Sequence, residues 1–212
     1  MSKKHILNYY EEMAKTIKSP LETRNKAKDS TCYDVALMRG FADKNYDLLD
    51  LGTGTGLMIN PLVDDFRTIV AIEKYQGFTE FISKSPSVEI INADIMDFTT
   101  TRSFDVISIF GVMNYFNQKE AEELYKKIAG LLHKNNKSVS IVKHQMGLRE
   151  SFTVNGWSEE LNKNYYAEYR HVDLEMEMLT AAGFKRIEKI DIYPQEYNRW
   201  ENTHFYALVC HL

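Results

Sequence analysis

Apolar residues fall along this chain in two textures. Through residues 1–45 they recur at helical spacing, with Ile6, Tyr9, Tyr10, Met13 and Ile17 on one stripe until Ser19-Pro20 interrupts it. A second helix is expected to carry Tyr33, Ala36, Leu37 and Phe41. From Tyr46 onward the pattern turns to short apolar runs at 46–51, 68–73, 88–91 and 104–110, which read as strands. Helices are expected between them, from Leu57 to Val63 and around Phe78 to Ile82. The run Phe104 to Phe110 is rich in β-branched and aromatic residues, as suits a strand buried on both faces. Such alternation predicts a parallel sheet wrapped by helices.

A longer helix is predicted after Asn117, an N-cap residue with Glu120 three positions on, and its apolar stripe is Ala121, Leu124, Tyr125, Ile128, Leu131 and Leu132. Asn135-Asn136 closes it, and Val139-Ser140-Ile141-Val142 forms a further strand running into Lys143-His144-Gln145-Met146-Gly147. Residues 148–172 are aromatic and polar without a clear period and read as an insertion or lid. A helix from Val172 to Ala182 follows, stopped by Gly183. Strands are expected at 185–193 and 203–211, and the link between them shows no helical period, which predicts an antiparallel pair.

The length of 212 residues suits one α/β domain, with a helical cap at 1–45, a core at 46–147, the insertion at 148–172 and a closing helix with strands at 173–212. Lys and Arg number 26 against 30 Asp and Glu, a net charge of −4 that argues against nucleic acid as a partner. Hydrophobic residues at 44% and charged ones at 26% exclude disordered and collagen-like classes. Cys32 and Cys210 have no paired spacing, which excludes a cysteine-based zinc site and fits a reducing compartment. Without a signal-like or membrane-spanning apolar run, the expectation is a cytoplasmic protein with no membrane partner, acting as a monomer or homodimer.

Chemistry concentrates in Leu48-Leu49-Asp50-Leu51-Gly52-Thr53-Gly54-Thr55-Gly56, at a predicted strand-to-helix junction. The glycines permit a tight turn and close approach of the backbone to a ligand. The dinucleotide fingerprint would require glycine at 57, where this chain has Leu57, so a nicotinamide cofactor is disfavoured. Glu73, Asp94 and Phe110-Gly111 stand at the carboxyl ends of successive predicted strands, where open α/β sheets place ligands. A carboxylate such as Glu73 accepts two hydrogen bonds from a cis-diol.

With these residues in place, the sequence resembles the class I S-adenosylmethionine-dependent methyltransferases over roughly residues 46–145, and more loosely to the C-terminus. The resemblance implies a Rossmann-like, seven-stranded, mostly parallel sheet flanked by helices, with a C-terminal antiparallel strand. It implies S-adenosylmethionine as cofactor and S-adenosylhomocysteine as product. Asp50 with Gly52, Thr53, Gly54 and Gly56 would surround its methionine part. Glu73, with Lys74 beside it, would take the ribose; Asp94 and Ile95 would take the adenine; Phe110 and Gly111 would line the other side. Tyr10 is expected to fold over the cofactor from the N-terminal helix.

Methyl transfer from a sulfonium is an in-line displacement, so positioning supplies most of the rate, and a hydroxyl acceptor also needs a base. His144, following the predicted fifth strand, is expected to face the cofactor site and act as that base, with His171 behind it. Asn114, Tyr115 and Tyr166, together with Trp157, Tyr165 and Tyr169, are expected to wall an acceptor pocket. Arg24, Lys26 and Lys28 are expected to contact an anion. Phe110 to Tyr115 lacks the proline-containing segment of base-amino methyltransferases, and no acidic cluster has the spacing of the metal-dependent catechol enzymes, so no metal is expected. A small polar acceptor remains, of the sugar, phosphorylated or nucleotide-linked kind. The alternatives are an aminopropyltransferase, which would need paired acids where Gly111-Val112-Met113-Asn114 stands, and a catalytically silent cofactor-binding subunit.

Overall fold

A computed structural model describes residues 4–24, 27–159, 162–198 and 200–212. Five helices occur among them: α1 (Lys4–Thr16), α2 (Thr31–Arg39), α3 (Gln76–Thr79), α4 (Gln118–Leu131) and α5 (Val172–Ala181). The strands are β1 (Asp47–Leu51), β2 (Thr68–Glu73), β3 (Val88–Asn92), β4 (Val106–Phe110), β5 (Val139–Gly147), β6 (Phe152–Ser158), β7 (Lys163–Tyr169), β8 (Arg186–Asp191) and β9 (Thr203–His211). Seven of these make one sheet in the order β3-β2-β1-β4-β5-β9-β8. Neighbours from β3 through β5 are parallel, and β9 runs antiparallel to both β5 and β8. The expected seven-stranded sheet with an antiparallel strand near its C-terminal edge is the one observed.

Strand order explains strand composition. Central β1, β2, β4 and β5 are buried almost throughout, whereas the edge strands β3 and β8 are partly exposed. Period-2 alternation splits their apolar residues between two layers. Leu48, Ile69, Ala71, Val106 and Ile141 pack with Val35 and Met38 of α2 and with Ile59 and Leu62. Leu49, Leu51, Val70, Ile107, Ile109 and Val142 pack with Leu124 and Ile128 of α4 and Leu179 of α5. The capping box predicted at Asn117 is present, its side chain accepting from the Glu120 amide at 3.0 Å while Glu120 accepts from the Asn117 amide at 2.9 Å.

Three local expectations are corrected. The helix expected over 57–63 is replaced by turns and a 3₁₀ segment at Asn60–Leu62, because Pro61 lacks an amide donor and Asn60 uses its side chain to bond Phe81 and Ser83 instead. The helix around 78–82 is only the single turn α3, displaced to Gln76–Thr79. The insertion at 148–172 contains the hairpin β6–β7, a separate two-stranded sheet. Its period was masked because the more buried face of β6 carries Gly156 and Ser158 beside Phe152 and Val154, while Trp157 stands exposed on the other.

The N-terminal helix docks on α3. Tyr75 donates its hydroxyl to the Leu7 carbonyl at 2.9 Å, and a Cβ built on Gly77 would lie 1.9 Å from the Ala14 carbonyl oxygen. Glycine is required there by close approach of two backbones. Gly77→Ala is therefore expected to lift α1 off the sheet layer without disturbing the core. Limited proteolysis should cut within residues 4–16 roughly tenfold faster than in the wild type, with the global unfolding midpoint little changed.

Candidate active site

The carboxyl ends of the parallel strands open into one cavity of about 270 Å³. Following the strand order across its floor come Asp94 and Ile95 after β3, Glu73 and Lys74 at the end of β2, and Asp50, Gly52, Thr53 and Gly54 at the end of β1. Phe110 and Gly111 follow at β4, and Lys143 of β5 closes the row. Leu7 and Tyr10 of α1 line the same cavity with Tyr115, and the Tyr10 and Tyr115 hydroxyls are hydrogen-bonded at 2.7 Å. Arg24 and Asp34 line it beside Lys143.

The turn after β1 is held by the Gly52 and Thr53 amides, which donate to the Ile72 carbonyl at 2.9 and 3.0 Å. The Gly54 amide donates to Glu73 Oε2 at 2.9 Å, and Glu73 Oε1 accepts the Tyr75 amide at 2.9 Å. Each carboxylate oxygen keeps a further acceptor position, enough for a diol. Burial raises the Glu73 pKa against these backbone hydrogen bonds, and neighbouring Asp50 adds to the rise. Asp50, itself buried, accepts from Ser108 Oγ at 2.6 Å, and desolvation pushes its carboxyl up to about 6. Neither carboxylate has a cationic partner among the described residues, so this end of the cavity suits a ligand that brings positive charge. Asp94 differs, pairing with Lys74 Nζ at 2.9 Å and accepting the Met96 amide at 2.9 Å.

At the β5 end the balance reverses. Asp34 of α2 receives Arg24 Nη2 at 3.2 Å, Lys143 Nζ at 3.1 Å and the Tyr193 hydroxyl at 2.6 Å, so two cations share this buried carboxylate, and Arg24 Nε also lies 3.9 Å from exposed Asp29. Arg24 Nε has no hydrogen-bond partner among the described residues. Lys143 Nζ also lies 4.9 Å from the centre of the Phe110 ring, whose residue pairs with it in the β4–β5 register.

Several residues expected at the site stand elsewhere. His144 is fully buried on the opposite face of β5, its Nε2 2.9 Å from Glu175 Oε1. There burial lowers the imidazole pKa, whereas the Glu175 carboxyl, pushed up by desolvation, is outweighed by His144 and Arg170 and held at about 2. Neutral His144 thus donates to a carboxylate whose charge Arg170 balances, and it does not reach the cavity. The reason is parity: β5 continues to Gly147, so adjacent Lys143 and His144 point to opposite layers. His171 caps α5, accepting the Asp173 amide on Nδ1 at 3.3 Å and donating from Nε2 to the Leu148 carbonyl at 2.9 Å.

Asn114 is buried away from the cavity and ties Gln145 and Glu168 carbonyls together at 2.8 and 3.0 Å. Tyr166 bonds Glu168 on the hairpin, and Trp157, Tyr165 and Tyr169 are likewise not among the cavity's lining residues. Gly56 turns the chain at φ 77° with its open side against Asn60, not against the cavity. Lys28 sits over the Tyr197 ring, and Lys26 lies outside the described residues. The residues at the β5 end of the cavity that sequence reasoning missed are Lys143, Asp34 and their partner Tyr193. Only a lysine inside an otherwise apolar strand pattern signalled the first of them.

Residues 48–135 match the family model described as a methyltransferase domain. Over residues 48–135 the chain thus matches a methyltransferase domain, set in the strand order of the class I S-adenosylmethionine-dependent methyltransferase fold. Comparison by sequence with curated proteins gives no match. Among solved structures, a DhpI complex with SAH superposes with a TM-score of 0.70 at 14% identity, covering 99% of this chain and 96% of that one. The glycopeptide N-methyltransferase MtfA bound to S-adenosylmethionine gives 0.67 at 10%, over 89% and 96%. DesVI of Streptomyces venezuelae gives 0.65 at 14%, over 90% and 95%.

Two predictions follow from the methyltransferase turn and its carboxylate. A Cβ on Gly54, at φ 59°, meets nothing within 4 Å, so Gly54→Arg sends its side chain toward the cavity. Calorimetric titration should show S-adenosylmethionine binding weakened by roughly a hundredfold or more, with the circular dichroism of the sheet retained. Asp50 has a folded pKa raised to about 6, so its contribution to stability is full at acid pH and is lost as pH rises through that value. Asp50→Asn removes that loss. Urea unfolding should find the unliganded variant more stable than wild type by up to about 3 kcal/mol at pH 7.5, the difference shrinking toward pH 4.

Proposed function

We propose that this protein transfers a methyl group from S-adenosylmethionine to an oxygen of a small polar acceptor, of the sugar, phosphorylated or nucleotide-linked class. In this reading it acts in the cytoplasm as a monomer or homodimer, without nucleic acid or membrane. The polarity of the cavity carries the reading. Asp50 and Glu73 present uncompensated negative charge where a donor with ammonium and sulfonium groups would lie, while beyond it Arg24 and Lys143 share the one carboxylate that lines the cavity with them, Asp34. A nicotinamide dinucleotide would bring its anionic pyrophosphate against Asp50 and Glu73, which Coulomb repulsion in a partly desolvated site opposes.

When bound, S-adenosylmethionine supplies an electrophilic methyl carbon. The chain's own residues do the rest. Glu73 accepts the ribose hydroxyls, the glycine turn and Asp50 fix the methionine part, and Ile95 packs against the adenine. Phe110 and Gly111 set the wall between donor and acceptor, and Tyr10 with Tyr115 keeps water from the reacting centre. Arg24, which lines the cavity, holds the anionic group of the acceptor. The reaction is then a displacement whose rate comes from alignment and exclusion of water.

Isothermal titration with S-adenosylmethionine, S-adenosylhomocysteine and NAD in parallel tests this reading. Micromolar binding of the two sulfur compounds without NAD binding is expected, followed by transfer of a radiolabelled methyl group in a screen of phosphorylated and sugar acceptors. Binding of NAD alone, or of none of the three, would overturn it.

A further inference from the structure

Displacement of His144 from the cavity leaves the base unassigned, and the residue that takes its place in the strand pattern is Lys143. It is buried, lines the cavity, and follows Phe110 at the far end of the row that starts at Asp94. Its partner Tyr193 has no capacity to spare. The Tyr193 hydroxyl donates to Asp34 Oδ1 at 2.6 Å and accepts from Lys143 at 2.7 Å and from Ser30 Oγ at 3.0 Å, which uses its one donor and both acceptor positions. Asp34 accepts from Tyr193, Lys143 and Arg24. Lys143 lines the cavity, and its bonds to Asp34 and Tyr193 leave one further position on its nitrogen.

Charge counting says what that valence is. Arg24 remains protonated at any working pH and lies between buried Asp34 at 3.2 Å and exposed Asp29 at 3.9 Å. Water screens Asp29, so within the buried part of the cluster Arg24 and Lys143 share the one carboxylate of Asp34, and Lys143 is the cation that can give up its proton. An unprotonated amine has two N–H donors, matching Asp34 and Tyr193, and one lone pair, matching a hydroxyl brought into the cavity. We propose that Lys143, oriented by Asp34 and Tyr193, is the base that accepts the proton of the acceptor hydroxyl. This assignment rests on the methyl-transfer reading above and deepens it.

The step balances. The acceptor oxygen forms a bond to the methyl carbon as its O–H bond breaks toward the Lys143 nitrogen; the carbon–sulfur electron pair leaves with sulfur. One positive charge disappears from the sulfonium and one appears on Lys143, where Asp34 and the Phe110 ring face stabilise it. The groups that face this amine are Arg24 from the turn before α2, Asp34 from α2, Tyr193 after β8 and Phe110 from β4. Burial lowers the Lys143 pKa, Asp34 opposes the fall, and Arg24 adds to it. Burial keeps Tyr193 a phenol, so it positions and does not itself take the proton.

The direct test is titration of the Lys143 side chain by nitrogen and carbon NMR in the lysine-labelled wild-type protein, its signal assigned by its absence in Lys143→Met. The unliganded amine is expected to titrate below the ordinary lysine value of about 10.4. With S-adenosylmethionine bound its midpoint should fall at least about one pH unit below that with S-adenosylhomocysteine, because only the former places a sulfonium charge beside it. An ordinary or raised midpoint, or equal midpoints when both ligands bind, would remove Lys143 as the base and leave the methyl-transfer reading standing. Failure of both ligands to bind would overturn that reading and the base with it. The titration needs no acceptor, and it stays decisive if Lys143→Met does not fold, since the signal is then assigned from the variant Lys143→Arg.

Discussion

Strand β5 imposes the constraint from which the site's construction follows. It lies in the middle of the sheet with all nine residues buried, yet carries Lys143, His144 and Gln145 in succession. A buried polar side chain must find partners or the fold loses several kcal/mol for each. Alternation sends the three to different elements. Lys143 is met by Asp34 of α2 and Tyr193 beyond β8, His144 by Glu175 of α5, and Gln145 by Thr203 at the start of β9. One strand thus fixes the N-terminal helical layer, the C-terminal helix and the antiparallel strand against a single register.

The partners of His144 extend this organisation to the cavity wall. Arg170, at the end of the hairpin, donates to Glu175 and also to the carbonyls of Met113 and Phe116, at 2.6 and 2.8 Å for Phe116 and Met113 respectively. Those carbonyls bracket Tyr115, which lines the cavity. Asn114 adds its two bonds to β5 and β7 in the same turn. The hairpin therefore acts on the site through the turn after β4, from behind. A buried ionic network with every charge paired gives this wall one arrangement, which a flexible glycine-to-proline style loop would not. His144 and Asn114 are positioning residues of the wall.

Much of this was legible in the chain. Alternating runs gave the strands, Asn117 with Glu120 gave the start of α4, and Gly52, Gly54, Glu73 and Asp94, each read along the local chain, do line one cavity. The β5 end of that cavity was not legible, because its cluster joins residues 24, 34, 143 and 193 from four separate segments. Which of Lys143 and His144 faces α2 depends on strand parity relative to layers that only the assembled sheet defines. The choice of His144 followed side-chain chemistry where geometry decides. The hairpin was hidden for a related reason: its inward face is too short of large apolar side chains for a period-2 signal to emerge.

Among the described residues, the N-terminal helix contacts the elements that build the site. Ile6 is fully buried; otherwise the Leu7 carbonyl holds Tyr75, Tyr10 holds Tyr115, Ala14 rests on Gly77, and Lys163 of the hairpin lies 4.6 Å from the centre of the Tyr9 ring. Each of those contacts reaches α3, the turn after β4 or the hairpin, so α1 is docked on the elements that shape the cavity. A ligand touching Leu7 and Tyr10 adds its contact energy to the docked state and none to an undocked one. Binding and docking then reinforce each other by linkage. The apparent affinity for any ligand falls in proportion to the fraction of molecules with α1 in place. The helix is in this sense part of the binding site even through positions that touch no ligand, because Gly77, which is not among the cavity's lining residues, acts on affinity through the docking equilibrium alone.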